Sequence, residues 1–196
     1  MIIAIDYDGT IADTNREKVK WIAAQLGKRV SPWMCNRTDC VPLIGLDAYE
    51  KMGAAVYEQE RTLQAVEVPG ALDALRMLAA RASLHVVTAR PARRLAYARQ
   101  WLEEKSVLAC FDHLHTSAGS TKAAICATIG ANILIDDDIR HLQNIRLDGL
   151  QRILLQDGRK ERPDCRSEIH FCSNWKEAVL EIAAIEKFAD AAGVKK

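Results

Sequence analysis

The sequence predicts an α/β fold: a parallel β-sheet with helices on both faces and a small helical insertion after the first strand. Three observations carry this. Short apolar runs recur at residues 1–5, 84–87, around 111–115, and at 133–135, 153–155 and 169–172. Of these runs, the first is apolar throughout, as fits a strand buried on both faces, and the one around 111–115 is weaker. Helical patterns separate them, and strands alternating with helices build a parallel sheet. The alternation fails once, between Asp13 and Val68, where helical patterns occur without a strand.

The elements follow in order. The first strand ends at Asp6. Within the insertion, 17–26 and 47–63 carry helical periodicity, whereas 31–45, with Pro32, Pro42 and Gly45, reads as irregular. This division gives a core over 1–13 and 69–196 and an insertion over 14–68. Pro69-Gly70 punctuates the start of a helix over 71–80, with Leu72, Leu75 and Leu78 on one stripe. The second strand runs into Thr88, and a helix over 92–105 places Leu95, Ala98 and Leu102 together. A Ser/Gly loop leads into a helix over 121–129, which Gly130 terminates. A further helix is predicted over 138–147, before an Asp148-Gly149 turn. Asn174 and Glu177 have capping-box spacing ahead of a last helix over 175–188.

Composition excludes several classes. The 196 residues are 49% hydrophobic and 27% charged, which is neither a disordered nor a collagen-like chain. With 27 Lys+Arg against 26 Asp+Glu, the net charge of +1 argues against a nucleic-acid binder or a polybasic membrane binder. No stretch reaches the roughly 18 to 20 apolar residues that span a bilayer. The apolar start meets Asp6 too soon for a signal-peptide core, so a cytoplasmic location is expected. The six cysteines are scattered with no CxxC pair and read as reduced thiols. Cys165, Cys172 and His170 come nearest to a zinc-like grouping.

Ligand sites in open α/β sheets gather at the carboxyl ends of the strands. Asp6-Tyr7-Asp8-Gly9-Thr10 follows the first run. Two carboxylates at i and i+2 share a face of an extended chain. They can converge on a cation or serve as nucleophile and acid; an ordinary Asp-Gly turn also explains them. Thr88-Ala89-Arg90 follows the second run, where a hydroxyl and the next N–H groups can hold an anion or merely cap a helix. Lys122 stands at a helix start, where the helix dipole disfavours a cation, so it either meets an anionic ligand or swings into water. Asp136-Asp137-Asp138 follows the fourth run. Asp138 is explained as an N-cap. Asp136 and Asp137 are not both so explained, and a divalent cation such as Mg²⁺, which prefers oxygen ligands, would relieve their repulsion.

Taken in order, these elements resemble the motifs of the haloacid dehalogenase-like (HAD) superfamily. The matching parts are Asp-x-Asp-Gly-Thr-x-Ala-Asp from Asp6 to Asp13, then Thr88, Lys122 and the doublet Asp136-Asp137. The resemblance covers the core from Met1 to about Leu155. It implies a Rossmann-like three-layer α/β/α core and Mg²⁺-dependent phosphatase chemistry. Asp6 would be the nucleophile, forming an aspartyl-phosphate. Asp8 would act as acid and then as base. Thr88 and Lys122 would hold the phosphoryl oxygens, with Ala89 and Arg90 toward the substrate. Mg²⁺ would sit on Asp6, the Asp8 carbonyl and Asp136, with Asp137 as a further or outer ligand. An acidic residue two positions after the nucleophile is the superfamily's phosphatase pattern, as opposed to its ATPase and dehalogenase branches.

The insertion stands where this superfamily carries a substrate-selecting cap. Small helical caps here resemble those of the 5′(3′)-deoxyribonucleotidase-like branch, as do Val87-Thr88-Ala89-Arg90-Pro91 and Leu134-Ile135-Asp136-Asp137. The expected ligand is thus a small phosphorylated molecule, a nucleotide first and a sugar phosphate or other metabolite as the alternative. Neither membrane nor nucleic acid is an expected partner, and the oligomeric state is open. Trp21, Trp33, Tyr49 and Tyr57 are candidates to stack on a base, although holding the cap's own core explains any one of them better. Arg93, Arg94 and Arg99 read as a solvated helix face. Two other classes compete. A phospho-acceptor receiver domain uses similar parts, but its acidic pair comes first and its Lys last; here Lys122 precedes the last acidic cluster. A non-catalytic HAD-like binding protein does not require the full catalytic set, which is present.

Overall fold

The computed structural model describes residues 1–191. The last residues of the predicted core, 192–196, lie outside the described residues. Six parallel strands form one sheet: β1 (Ile2–Ile5), β2 (Ser83–Thr88), β3 (His113–Thr116), β4 (Ile133–Asp136), β5 (Gln151–Leu155) and β6 (Ile169–Cys172). Their order is β3-β2-β1-β4-β5-β6. The connections reverse direction at β1, so the crevice above its carboxyl end is the switch point of the sheet. Ile5 lies in register with Val86 of β2 and Ile135 of β4. The Asp6 N–H continues the ladder to the Ile135 carbonyl at 2.9 Å. The three strand ends that carry the sequence motifs therefore emerge side by side.

Each sheet face is apolar because its residues alternate toward one of two helical layers. Ile3, Ile5, Val86, Ile135 and Leu155 pack with α5 (Ala71–Ala79), α6 (Ala92–Glu104) and α9 (Trp175–Ala191). Ala4, Val87, Leu134 and Leu154 pack with Cys126 of α7 (Lys122–Ile129) and Leu142 of α8 (Ile139–Gln143). Each fully buried Ile, Leu or Val contributes on the order of 1.5–3 kcal/mol. The fold is thus the three-layer α/β/α arrangement that the sequence predicts. Among the described residues, no helix is long and apolar enough to cross a membrane. All six cysteines are free.

The insertion holds α1 (Thr14–Leu26), a 3-10 turn (Pro32–Met34), α2 (Arg37–Ile44), α3 (Leu46–Val56) and α4 (Gln59–Gln64). Ile22, Cys35, Cys40, Met52 and Val56 form its own apolar cluster, with Trp21, Tyr49 and Tyr57 packed against it. Its two necks pair with each other: Val66 O accepts the Asp13 N–H and Ile11 O accepts the Val68 N–H, both at 2.8 Å. Two tryptophans pin these necks to the core. Trp175 Nε1 donates to Thr10 O and Trp101 Nε1 to Ala65 O, each at 2.8 Å.

Three expectations are corrected. Residues 31–45 are not irregular, because Asn36 caps α2 by accepting the Asp39 N–H at 3.1 Å, and the helix carries Pro42 inside it. The helix expected over 47–63 is two helices, broken at Tyr57-Glu58. The helix expected over 138–147 stops at Gln143, because Arg152 Nη1 donates to Leu142 O and Ile145 O, both at 3.1 Å, and takes over its terminal carbonyls.

Candidate active site

The site begins where β1 ends. After Asp6 and Asp8 the chain turns at Gly9, which has φ +77°. A Cβ there would lie 2.2 Å from Asp137 Oδ2 and 2.4 Å from Asn15 Nδ2, so glycine is required both by the backbone and by this close approach. Asn15 donates to Asp137 Oδ2 at 2.6 Å, tying α1 of the insertion to the end of β4.

Lys122 is the first residue of α7, and Thr121 caps that helix. The Lys122 side chain turns inward, with Nζ 2.8 Å from Asp6 Oδ1 and 2.5 Å from Asp136 Oδ2. Two buried carboxylates outweigh the unfavourable position at the helix start. Asp136 is fully buried; it also accepts the Asp138 N–H at 3.0 Å and lies 3.1 Å from His141 Nδ1. Asp138 caps α8 as expected, accepting the Arg140 N–H and pairing with that guanidinium.

Asp6, Asp136 and Asp137 each present an oxygen within 4.8 Å of the others. Among the described residues this is the one such group of potential metal ligands. Burial raises the Asp6 carboxyl to about 6, with Lys122 opposing and Asp136 and Asp8 adding to the rise. Burial, Asp136 and Asp6 push Asp137 well above the usual carboxylate range. Burial would raise Asp136 too, but Lys122 and His141 outweigh it and hold that carboxyl far below its ordinary value. Mutually repelling oxygen donors, two buried and one half-buried, fit a hard divalent cation such as Mg²⁺.

Asp8 lies in a different environment. Arg90 donates to both its oxygens, from Nε at 2.8 Å and Nη2 at 2.7 Å. Arg90 Nη1 donates to Thr62 Oγ1 of α4 at 2.8 Å, and its guanidinium lies 4.8 Å and 5.2 Å from the ring centres of Tyr7 and Tyr57. Burial opposes ionisation of Asp8, yet Arg90 outweighs it and keeps the carboxyl low. Arg90, placed toward substrate by the sequence, thus has three of its N–H groups committed to Asp8 and Thr62. Thr88 is buried, with its Oγ1 accepting the Arg90 N–H at 3.2 Å.

A cavity of about 260 Å³ opens above these groups. Asp6, Asp8, Thr88, Ala89, Arg90 and Asp137 line it from the core. Asn15, Lys18, Asn36, Tyr49 and Tyr57 line it from the insertion, which forms its roof. Trp21 and Trp33 do not reach it; Trp33 lines a smaller neighbouring cavity of about 130 Å³. Arg94, expected on a solvated face, lines the main cavity and pairs with Glu58 at 2.9 Å. Sequence reasoning missed Asn15, Lys18, Thr62 and His141. Asn15 and Lys18 had a signal, since they stand one helical turn apart just after the Asp-x-Asp motif. His141 lies five residues beyond Asp136, in the turn that Asp138 caps.

The fold is that of haloacid dehalogenase-like hydrolases. Many solved structures share it. A HAD-superfamily hydrolase from Ehrlichia chaffeensis is 18% identical, over 94% of this chain and 96% of its own, with a TM-score of 0.60. A protein described as a predicted phosphoglycolate phosphatase from Haemophilus somnus is 15% identical, over 93% and 97%, at 0.61. The HAD-hydrolase YfnB from Bacillus subtilis, bound to magnesium, is 14% identical, over 92% and 97%, at 0.58. No family model and no curated protein sequence matches the chain.

Proposed function

We propose that the protein is a Mg²⁺-dependent phosphomonoesterase, with 1–13 and 69–196 as its catalytic body and 14–68 as the cap. The convergence of Asp6, Lys122, Asp136 and Asp137 at the switch point carries this reading. Asp6 attacks phosphorus; its Oδ–P bond forms as the bond from phosphorus to the leaving oxygen breaks. Asp8 gives that oxygen a proton, then takes one from the water that hydrolyses the aspartyl-phosphate. Because Arg90 holds Asp8 ionised, Asp8 must leave Arg90 and take up a proton, from solvent or from the water of the previous turnover, before it can give one to the leaving oxygen. Thr88 and Lys122 hold the phosphoryl oxygens as charge develops. Asp6, Asp136, Asp137 and the Asp8 carbonyl would hold Mg²⁺, whose charge offsets the repulsion between carboxylate and phosphate.

A nucleoside monophosphate, the substrate expected from sequence, would set its base against Tyr49 and Asn36 in the roof. The cations around the cavity favour a second reading, a small phosphorylated acid or sugar, in keeping with the Haemophilus somnus neighbour. Six free cysteines fit the reducing cytoplasm. The test is phosphate release from p-nitrophenyl phosphate with and without Mg²⁺. Asp6→Asn is expected to lower turnover by about 10³-fold or more, since it removes the nucleophile. Unchanged turnover in that variant overturns the assignment.

A further inference from the structure

One cation lining the cavity has no anion. Arg90 pairs with Asp8, Arg94 with Glu58 and Arg140 with Asp138, while Lys122 beneath them pairs with Asp6 and Asp136. Lys18, on α1 of the insertion, is only 7% exposed and makes no salt bridge among the described residues. Its Nζ donates to Asn15 Oδ1 at 3.0 Å and lies 5.5 Å from the centre of the Tyr57 ring. Burial disfavours the ammonium, but Tyr57, Asp137 and Asp8 outweigh that and keep it charged. An ammonium has three N–H donors, so with Asn15 and the Tyr57 hydroxyl each taking one, Lys18 keeps a third for a ligand.

We propose that Lys18 binds a second anionic group of the substrate, a carboxylate or another phosphoryl group, carried on the part that leaves. This rests on the phosphomonoesterase reading above. The groups assigned to the transferred phosphoryl, Thr88 and Lys122, belong to the core. Lys18 enters from the roof and so meets what the phosphoryl is attached to. A charged partner suits a buried ammonium better than a neutral one, because charge-assisted hydrogen bonds are the stronger class. Tyr57 is also poorly placed to stack on a neutral base, since Arg90, Arg94 and Lys18 all lie within 5.9 Å of its ring centre.

The experiment measures kcat/KM of the Mg²⁺-loaded enzyme on phosphoglycolate, an alkanediol bisphosphate, adenosine monophosphate and phenyl phosphate. Wild type is expected to prefer phosphoglycolate or the bisphosphate, and the better of the two identifies the anion. Lys18→Met is expected to lower kcat/KM for that substrate at least about tenfold more than for phenyl phosphate, chiefly through KM, with Lys18→Arg recovering part of the loss. Calorimetric titration of phosphoglycolate into Asp6→Asn, with and without Lys18→Met, is expected to show the same weakening in binding alone. Equal losses on all substrates, or a wild-type preference for adenosine monophosphate or phenyl phosphate, overturns the inference and leaves the phosphatase reading standing. If Lys18→Met does not fold, Lys18→Gln carries the same comparison. No turnover of any phosphomonoester sinks the phosphatase reading, and this inference with it.

Discussion

Three consecutive aspartates do three different things. Asp138 points back along α8 and caps it, so its charge is answered by the Arg140 N–H and guanidinium. Asp136 is fully buried, with Lys122 and His141 beside it. Asp137 lines the cavity, and its carboxylate is held by the neutral Asn15 amide. A cation at this site therefore loses a direct partner when Asp136 or Asp137 is removed, but not when Asp138 is. Asp136→Ala is expected to shift the Mg²⁺ activation curve to higher concentration by at least about tenfold, the scale of losing one ligating or orienting carboxylate. Asp138→Ala should instead cost about 1 kcal/mol of stability through the lost cap, with little change in Mg²⁺ requirement. Equal shifts in the two activation curves would undo the separation of roles.

At the scale of elements, β3 makes the next prediction. It is an edge strand of four residues, and His85 Nδ1 of β2 lies 3.0 Å from its His115 Nε2. One of these nitrogens must accept, so the contact needs at least one neutral ring. Burial lowers His85, with Asp112 opposing and His113 assisting; burial, His85 and His113 lower His115. A base held below its ordinary value binds fewer protons when folded. Its contribution to stability is present above about pH 6.5 and is lost as pH falls through the lowered folded values. Amide protection factors in β3 are expected to drop between pH 7.5 and 5.5, and His115→Gln should remove most of that drop. A pH-independent protection pattern refutes it. The central strands β1 and β4 were legible in the sequence because burial on both faces leaves them apolar, whereas the half-exposed edge strand β3, His-Leu-His-Thr, gave only a weak signal. Long helices were legible from one stripe, but their ends were not where a distant residue sets them, as Arg152 does for α8. Motif residues at strand ends were legible from order alone. The Asp8–Arg90 pair was not, since the partners stand 82 residues apart and only the sheet brings them together. Lys18 and Asn15 were hidden for the same reason, because nothing local says that α1 roofs the end of β4.

Across the whole molecule, the acids sit where three packed units meet. Asp6 ends β1, Asp136 and Asp137 end β4, and Asn15 brings α1 of the insertion onto Asp137. A cation binding all three carboxylates would therefore tie the sheet and the insertion together, and anything that binds the folded chain alone stabilises it by mass action. At a concentration 100 times its dissociation constant, the gain is about 2.7 kcal/mol. The gain should depend on pH with a definite sign. Asp6 is raised from 3.8 to about 6 in the fold, so the metal-free fold binds more protons there than the unfolded chain does. That stability is present at low pH and fades as pH rises through 6, and the still higher Asp137 extends the loss upward. Asp8 and Asp136 shift the other way, but both are ionised, folded and unfolded, throughout pH 5 to 7.5, so they add no slope there. The β2–β3 histidines lie outside the acid cluster and contribute equally with and without metal. Burial opposes the charged form of His141, but Asp136 outweighs it and raises that imidazole, so its contribution to stability fades as pH rises, in the same direction as that of Asp6. Mg²⁺ competes with the protons on Asp6 and Asp137 and replaces the repulsion they otherwise feel. Calorimetry in EDTA and in saturating Mg²⁺ should thus give a larger rise in Tm at pH 7.5 than at pH 5, and Asp137→Asn should shrink the difference between the two. A Mg²⁺-induced rise of the same size at both pH values would mean that the cation does not bind through these raised carboxyls.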